Sequence, residues 1–274
     1  NTQANHRLSF ELHGFASELD GNTMLSGYSV RQAFGLLYPG SKGDTRAAIA
    51  QTIGFDLDLE VALKTSNAAT DLLNSRQLPA DEEQSLEAVE LTTANAFWGQ
   101  RDLEWSQDYL NVLTRHFDTG LHVLDFINEA ELSRGIINQW VESRTNDRIV
   151  DLLPEGSVTQ DTRSVLTNAV YFKAPWADSF EVDITRDEDF SLVDGSVVPV
   201  STMASTHYGS VAETDEVLVV QKRFRGAKIA MTFVMPKNEP LSDVEARLDP
   251  ALWADWMNLL AEDRVELHLP KFQF

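Results

Sequence analysis

The sequence predicts an α+β fold in which helices gather early in the chain and strands follow. Three observations carry this. Apolar residues recur at helical spacing through the first third, as at Leu8, Leu12, Phe15 and Leu19. From Phe190 to Met235 the pattern is mostly that of strands, with turn signals at Asp194-Gly195 and Arg225-Gly226. Runs of helices followed by runs of strands favour mixed or antiparallel sheets over a doubly wound one. The 274 residues contain no internal repeat, and the punctuation between elements is short, so residues 1–274 read as a single domain.

The first helix runs through Leu8, Leu12, Phe15 and Leu19 and stops at Asp20-Gly21-Asn22. Ser29 is placed to cap a second helix through Ala33, Leu36 and Leu37, which Pro39-Gly40 ends. Asp44 suits the start of a third, with Ala47, Ala48 and Ile49, and a fourth covers Glu60 to Leu73. Residues 74–84 hold Pro79 and the acidic run Asp81, Glu82 and Glu83, and read as a loop into a strand. Val89, Leu91, Thr93, Asn95 and Phe97 then alternate with small or polar residues up to Trp98. A helix with Tyr109, Leu110, Leu113 and Phe117 comes next. Another carries the stripe Ile136, Ile137, Trp140 and Val141 on an otherwise polar surface. Ser164 to Phe172 is apolar on both faces, so a central place in a large sheet is expected. Short helices over Leu241–Leu248 and Ala251–Leu260 precede a final run in which Val265, Leu267 and Leu269 alternate with polar residues. A chain that stops at Phe274 inside such a run is expected to be truncated, and Asn1 in place of Met points to a processed or trimmed start.

Composition narrows the function. There are 22 basic and 43 acidic residues, a net charge of −21. A surface this acidic repels phosphate backbones and anionic lipid, so neither a nucleic acid nor a membrane is expected as a partner. No apolar run approaches the ~18–20 residues that span a bilayer. The absence of cysteine removes disulfides, thiol catalysis and cysteine-based zinc sites. No Asn-x-Ser/Thr acceptor occurs. No metal or other cofactor is expected.

The motifs of common enzymes are missing. None of His6, His13, His116, His122, His207 and His268 forms the zinc-protease pattern, and His116 and His122 read as unrelated surface residues across a helix–strand junction. Ser29 follows Gly27, but Arg31 stands where a nucleophile elbow needs its second glycine. In Gly40-Ser41-Lys42-Gly43-Asp44-Thr45 the lysine precedes the second glycine, and Asp44 would repel phosphate; a helix-entry turn is the better reading. Asp56, Asp58 and Glu60 lack an EF-hand's glycine, and Asp187-Glu188-Asp189 reads as a solvated face. A hydrolase would need a nucleophile–base pair that the sequence does not display.

Several blocks taken together resemble the serpin family, the conformationally trapping protease inhibitors. The strongest is Leu166-Thr167-Asn168-Ala169-Val170-Tyr171-Phe172-Lys173, followed by Trp176, Phe180 and Thr185. A second is Ile137-Asn138-Gln139-Trp140-Val141, then Thr145, Ile149 and Leu152-Leu153-Pro154. A third is Ala94-Asn95-Ala96-Phe97-Trp98. Weaker ones are Leu25 to Val30, Gly40 to Thr45 and His268 to Phe272; all six stand in the family's order. Gly27, where the family usually has proline, Ala174 for a frequent glycine, and Thr202-Met203 for a common Met-Met are departures.

The resemblance implies a serpin-like domain of three β-sheets and eight to nine helices, with the Val89 and Ser164 strands adjacent in a large central sheet. It implies that the Val265–Phe274 strand joins that same sheet. It further implies a serine-type endopeptidase inhibitor rather than an enzyme: a cleaved reactive loop inserts into the central sheet and carries the acyl-linked protease with it. Trp176 then matches the top of that sheet and Asn168, Ser26 and Ser29 its polar middle, and with Thr185 they make up the region where the sheet is expected to open. Asn138, Trp140 and Thr145 match the helix over the sheet. The expected partners are a target serine protease and the C-terminal segment that would hold the reactive bond, which this chain is expected to lack. A secreted, metastable monomer is the family's usual form. A non-inhibitory chaperone, carrier or storage protein is the alternative.

Overall fold

The computed structural model describes residues 2–17, 21–55, 58–117, 121–192 and 194–273. Asn1, Leu19, Asp20, Asp56 and Phe274, invoked above, lie outside them. The chain forms two compact units: Asn1–Leu12 with Leu25–Gln77 and Glu90–Lys173, and His13–Met24 with Leu78–Val89 and Ala174–Phe274. Eight α-helices and one short 3-10 turn are present among the described residues, in agreement with the α+β expectation.

Helices α1 (Thr2–Ala16), α2 (Gly27–Leu37), α3 (Gly43–Ile53) and α4 (Leu59–Asn74) come first. The cap of α2 is Ser26, not Ser29: the Ser26 hydroxyl accepts the Ser29 backbone N–H at 3.1 Å. The capping oxygen must stand outside the helix, and Ser29 already lies in its first turn. Asp58 caps α4 by accepting from the backbone N–H of Glu60 and Val61. Helix α3 ends on Gly54 in the left-handed conformation (φ 73°), as its position after the last turn requires. Leu8, Tyr38, Ile53, Phe55 and Ala62 bury one core. Phe15, counted in the first helical stripe, is instead 77% exposed.

The sheet of the first unit has the order β2-β1-β3, from β1 (Glu90–Gln100), β2 (Leu121–Leu124) and β3 (Ser164–Lys173). Strand β1 runs parallel to β2 and antiparallel to β3, with Asn95 opposite Asn168. The adjacency of the Val89 and Ser164 strands is as expected; among the three described strands, β3 does not hold the middle position. That position belongs to β1, whose Phe97, Trp98, Gly99 and Gln100 are all buried. Among the described residues β3 has β1 on one edge and no strand on the other. An apolar run reports cover over both faces, and it does not report which edges are paired. Helices α5 (Gln107–Phe117) and α6 (Ala130–Arg144) complete the unit. Ala96, Trp98, Phe126 and Ile137 form the core between the sheet and α6.

The second unit holds β4 (Glu181–Ser191), β5 (Val197–Glu213), β6 (Val217–Arg223), β7 (Ala230–Pro236), α7 (Leu241–Arg247), α8 (Pro250–Leu259) and β8 (Ala261–Pro270). The long β5 is the spine. Along one edge it pairs first with β4 and then with β6, while β8 takes the other edge. This corrects the terminal strand. It does not join the sheet of β1 and β3; it pairs β5 at ten positions, from Thr202 opposite Pro270 to Val211 opposite Ala261. The reason is local. Helix α8 seats Trp256 against Val217 and Val219, and a single residue separates α8 from β8, so the chain is delivered to the sheet that α8 already covers.

Candidate functional site

The seam between β1 and β3 is held by a backbone ladder and a cross-strand amide bond. Asn168 Nδ2 donates to Asn95 Oδ1 at 2.6 Å. Asn168 Oδ1 is buried with no hydrogen-bond partner among the described residues. Nearby, the Trp98 indole N–H donates to Thr167 Oγ1 at 3.0 Å in the buried core. A single neutral hydrogen bond contributes about 1 kcal/mol, so this polar link can be exchanged for another of the same kind at small net cost. Ser26 and Ser29 are bonded to each other at the start of α2; among the described residues neither side chain bonds Asn168.

Over this sheet, α6 is tied to the loop that follows it. Asn138 Nδ2 donates to the Leu153 carbonyl and Asn138 Oδ1 accepts the Leu153 N–H, both at 2.9 Å. The same Nδ2 lies 3.3 Å from Asp151 Oδ1. Thr145, 1% exposed, ends the helix: its hydroxyl donates to the Val141 carbonyl and accepts the Ile149 N–H. Trp140 packs edge-on against Trp98, with centroids 5.6 Å apart. His122, read above as a surface residue, is half-buried and stacks on Trp98 at 4.5 Å. Burial, and secondarily Arg144, hold its pKa below the ordinary histidine value.

In the second unit, Trp176 bridges to Phe224 and stacks on its ring at 4.2 Å, with Phe180 edge-on at 5.9 Å. Beneath these rings lies Lys222, 1% exposed, its Nζ 4.7 Å from the Phe180 centroid and 5.8 Å from that of Trp176. Lys222 Nζ donates to Ser205 Oγ at 3.1 Å and stands 3.4 Å from His207 Nδ1. Burial lowers both pKa values; Lys222 lowers that of His207 further, and Asp178 opposes the shift at each. This cluster holds a hydroxyl, an imidazole and an ammonium, yet Ser205 is only 3% exposed, so the hydroxyl is shut away from any substrate. Sequence reasoning missed it, because a lysine in the alternating run of β6 carries no local sign of facing inward. Thr185 stands apart, in β4, donating to the Glu181 carbonyl where the register with β5 shifts.

Comparison with known proteins fits this architecture. The family model described as Serpin (serine protease inhibitor) matches residues 3–274. An uncharacterized serpin-like protein of Methanosarcina acetivorans is 30% identical over 272 residues, covering 99% of this chain and 62% of its own length. Human Serpin B3 is 30% identical over 287 residues, with 99% of this chain and 73% of the relative covered. Mouse Antithrombin-III is 33% identical over 279 residues, spanning 59% of that protein. The chain thus spans about three fifths to three quarters of the length of these relatives. Among solved structures, emu ovalbumin (Dromaius novaehollandiae) superposes with a TM-score of 0.88 at 20% identity, over 99% of this chain and 73% of that one. Reactive-loop-cleaved human thyroxine-binding globulin does so with a TM-score of 0.85 at 26% identity, over 99% and 78%. With the family model matched across nearly all of its residues, the chain belongs to the serpin family.

Proposed function

We propose that this chain belongs to a serine-type endopeptidase inhibitor that traps its target covalently. The target's serine hydroxyl attacks the bait carbonyl, the peptide amide breaks and its amine departs, and an ester joins inhibitor to protease. The cut loop then enters the sheet beside β3 before water can hydrolyse that ester. Strand addition to an open edge is the physical step, and serpin loop insertion is an established instance of it. The observation that carries the reading is the family, whose model matches residues 3–274, and the exchangeable Asn95–Asn168 bond at the seam of β1 and β3 supports it. The relatives extend beyond the stretch aligned here, and the proposal places the bait bond in that remainder. It also takes the protein to be a monomer, secreted, with a metastable native state whose persistence is kinetic.

A carrier or storage role is the second reading. It is favoured by the likeness to thyroxine-binding globulin, solved in complex with a thyroxine–fluorescein conjugate. The discriminating experiment incubates the intact gene product with trypsin-, chymotrypsin- and elastase-like proteases and separates the mixture on a denaturing gel. A band at the summed mass that survives boiling is the expected result. A clipped chain with fully active protease in every case would overturn inhibition of these classes in favour of the second reading.

A further inference from the structure

The first unit contains a cleft that the trapping reading leaves unused. It lies among α4, β1, α5 and α6 and has two confluent lobes of about 360 and 250 Å³, which share Thr70, Asn74, Asn95 and Phe117. Its charge is the reverse of the chain's. The protein carries −21 overall, yet Arg144 and His122 line one lobe and Arg115 and His116 the other, against one carboxylate, Asp71, among the described lining residues.

Neither arginine of this cleft stands in an ion pair among the described residues. Arg7, Arg101, Arg134, Arg186, Arg223 and Arg247 all stand in ion pairs with carboxylates. Arg144 has none among the described residues; its guanidinium lies over the Trp140 ring, 5.5 Å from the centroid. Arg115 likewise makes no ion pair or hydrogen bond there. A third group points the same way: Thr93 Oγ1, in the lining of the Arg144 lobe, is buried with no hydrogen-bond partner among the described residues. Buried polar atoms are nearly always satisfied, and one left open at a cleft wall is an available contact for a ligand. Both imidazoles are held below the ordinary pKa, by burial first and then by the neighbouring arginine, so near neutral pH they offer N–H donors without adding charge.

We propose that this cleft binds a small phosphate ester. A guanidinium presents a planar fork of donors that matches a phosphate oxyanion better than a point charge does. Arg144 and Arg115 supply it in the two lobes, Thr93 and the Asn95 amide group bond hydroxyls of the ligand body, and Trp140 and Phe117 provide apolar wall. Asn95 Oδ1 is already held by Asn168, so a ligand on Asn95 also touches the seam between β1 and β3. The inference does not depend on protease trapping.

The test is calorimetric titration of the intact gene product with inorganic phosphate and with glycerol 2-phosphate, ionic strength held constant with sodium chloride. Saturable one-to-one binding is expected, weakened ~10-fold in Arg144→Gln, which corresponds to about 1.4 kcal/mol. Arg115→Gln, in the other lobe, should weaken the ester as well. Arg148→Gln, outside the lining, should leave the affinity unchanged. Absence of saturable binding of either probe to the unaltered protein overturns the proposal. So does equal weakening by Arg148→Gln, which would mark nothing more than general attraction of anions. Circular dichroism of each variant, with the two arginines probed separately, keeps a folding failure at one position from deciding the outcome.

Discussion

Gly27 opens α2 with its Cα pressed against the backbone of α1. A Cβ built there would stand 2.3 Å from Ser9 Oγ, 2.9 Å from Ser9 N and 3.0 Å from Ser9 Cα. The hydroxyl could rotate away, but the backbone could not. The residue is therefore a close-approach position at the start of a helix. Proline suits the first helical residue by its φ, yet its ring would meet the same atoms. Gly27→Ala is expected to cost about 1–3 kcal/mol by overpacking, and Gly27→Pro at least as much, read by chemical denaturation. Gly135→Ala is the control: it lies in exposed helix with nothing within 4 Å, so it should gain about 0.5–1 kcal/mol. His207 gives a second prediction. Its folded pKa is lowered from 6.5, chiefly by burial and then by Lys222. The unfolded chain therefore takes up a proton at a pH where the folded one does not. Stability is fully present above pH 6.5 and declines as the pH falls toward the lowered folded value. The thermal midpoint should drop through that window, and His207→Gln should flatten the drop. An unchanged slope would exclude His207 as its source.

Elements were legible in the sequence wherever their signals are local. Helical periodicity located α1 to α6, the Pro39-Gly40 punctuation set the end of α2, and the strand pattern from Phe190 to Met235 and around Val265 covered β5 to β8 with the turns at Gly195 and Gly226, though not the boundary between β5 and β6. What the sequence could not supply were relations between distant segments. An apolar run such as Ser164 to Phe172 is compatible with either a central or an edge place, and the terminal run gave no sign that β5 rather than β1 or β3 would receive it. The buried Lys222 is the same case at a candidate site, since its partners Ser205 and His207 lie on a different strand. His122 reads as polar surface until Trp98 is seen beneath it. By contrast Asn138 was singled out through its block of residues, and the structure gives it a definite mechanical role. Its side-chain amide clasps both backbone groups of Leu153 and so ties α6 to the following loop. Asn138→Ala leaves a donor and an acceptor without their partner, and a loss of about 1–3 kcal/mol is expected. Asn138→Asp still accepts from the Leu153 N–H but sets a carboxylate beside Asp151, so it should recover little. Hydrogen exchange at Leu153 is the direct measurement: its amide should exchange faster in both variants, whereas exchange in the α1 to α3 helices should not change.

For the whole molecule, charge is the dominant non-local term. Acidic residues outnumber basic ones by 21, and the pairs that form are mostly solvent-exposed, as in Lys64–Glu60, where both side chains are about 70% accessible. Pairs of this kind contribute at most ~1 kcal/mol each and weaken as salt is added. The excess of like charge also weakens with salt, and it acts in the opposite sense, since self-repulsion disfavours the compact state. The two effects compete, and the composition decides between them: each basic residue can pair at most locally, while some 21 carboxylates have no cation to match them. Raising sodium chloride shortens the screening length from ~30 Å at 0.01 M to ~10 Å at 0.1 M, which removes repulsion between distant carboxylates before it removes contact pairs. Salt should therefore stabilise the protein. The thermal midpoint is expected to rise with sodium chloride, by about 2–4 °C for each kcal/mol of repulsion relieved. Guanidinium chloride, which screens as it denatures, should extrapolate to a higher apparent stability than urea. A midpoint that falls with salt would mean that the contact pairs outweigh the excess charge, and would move the account of this protein's electrostatics from its composition to its individual bridges.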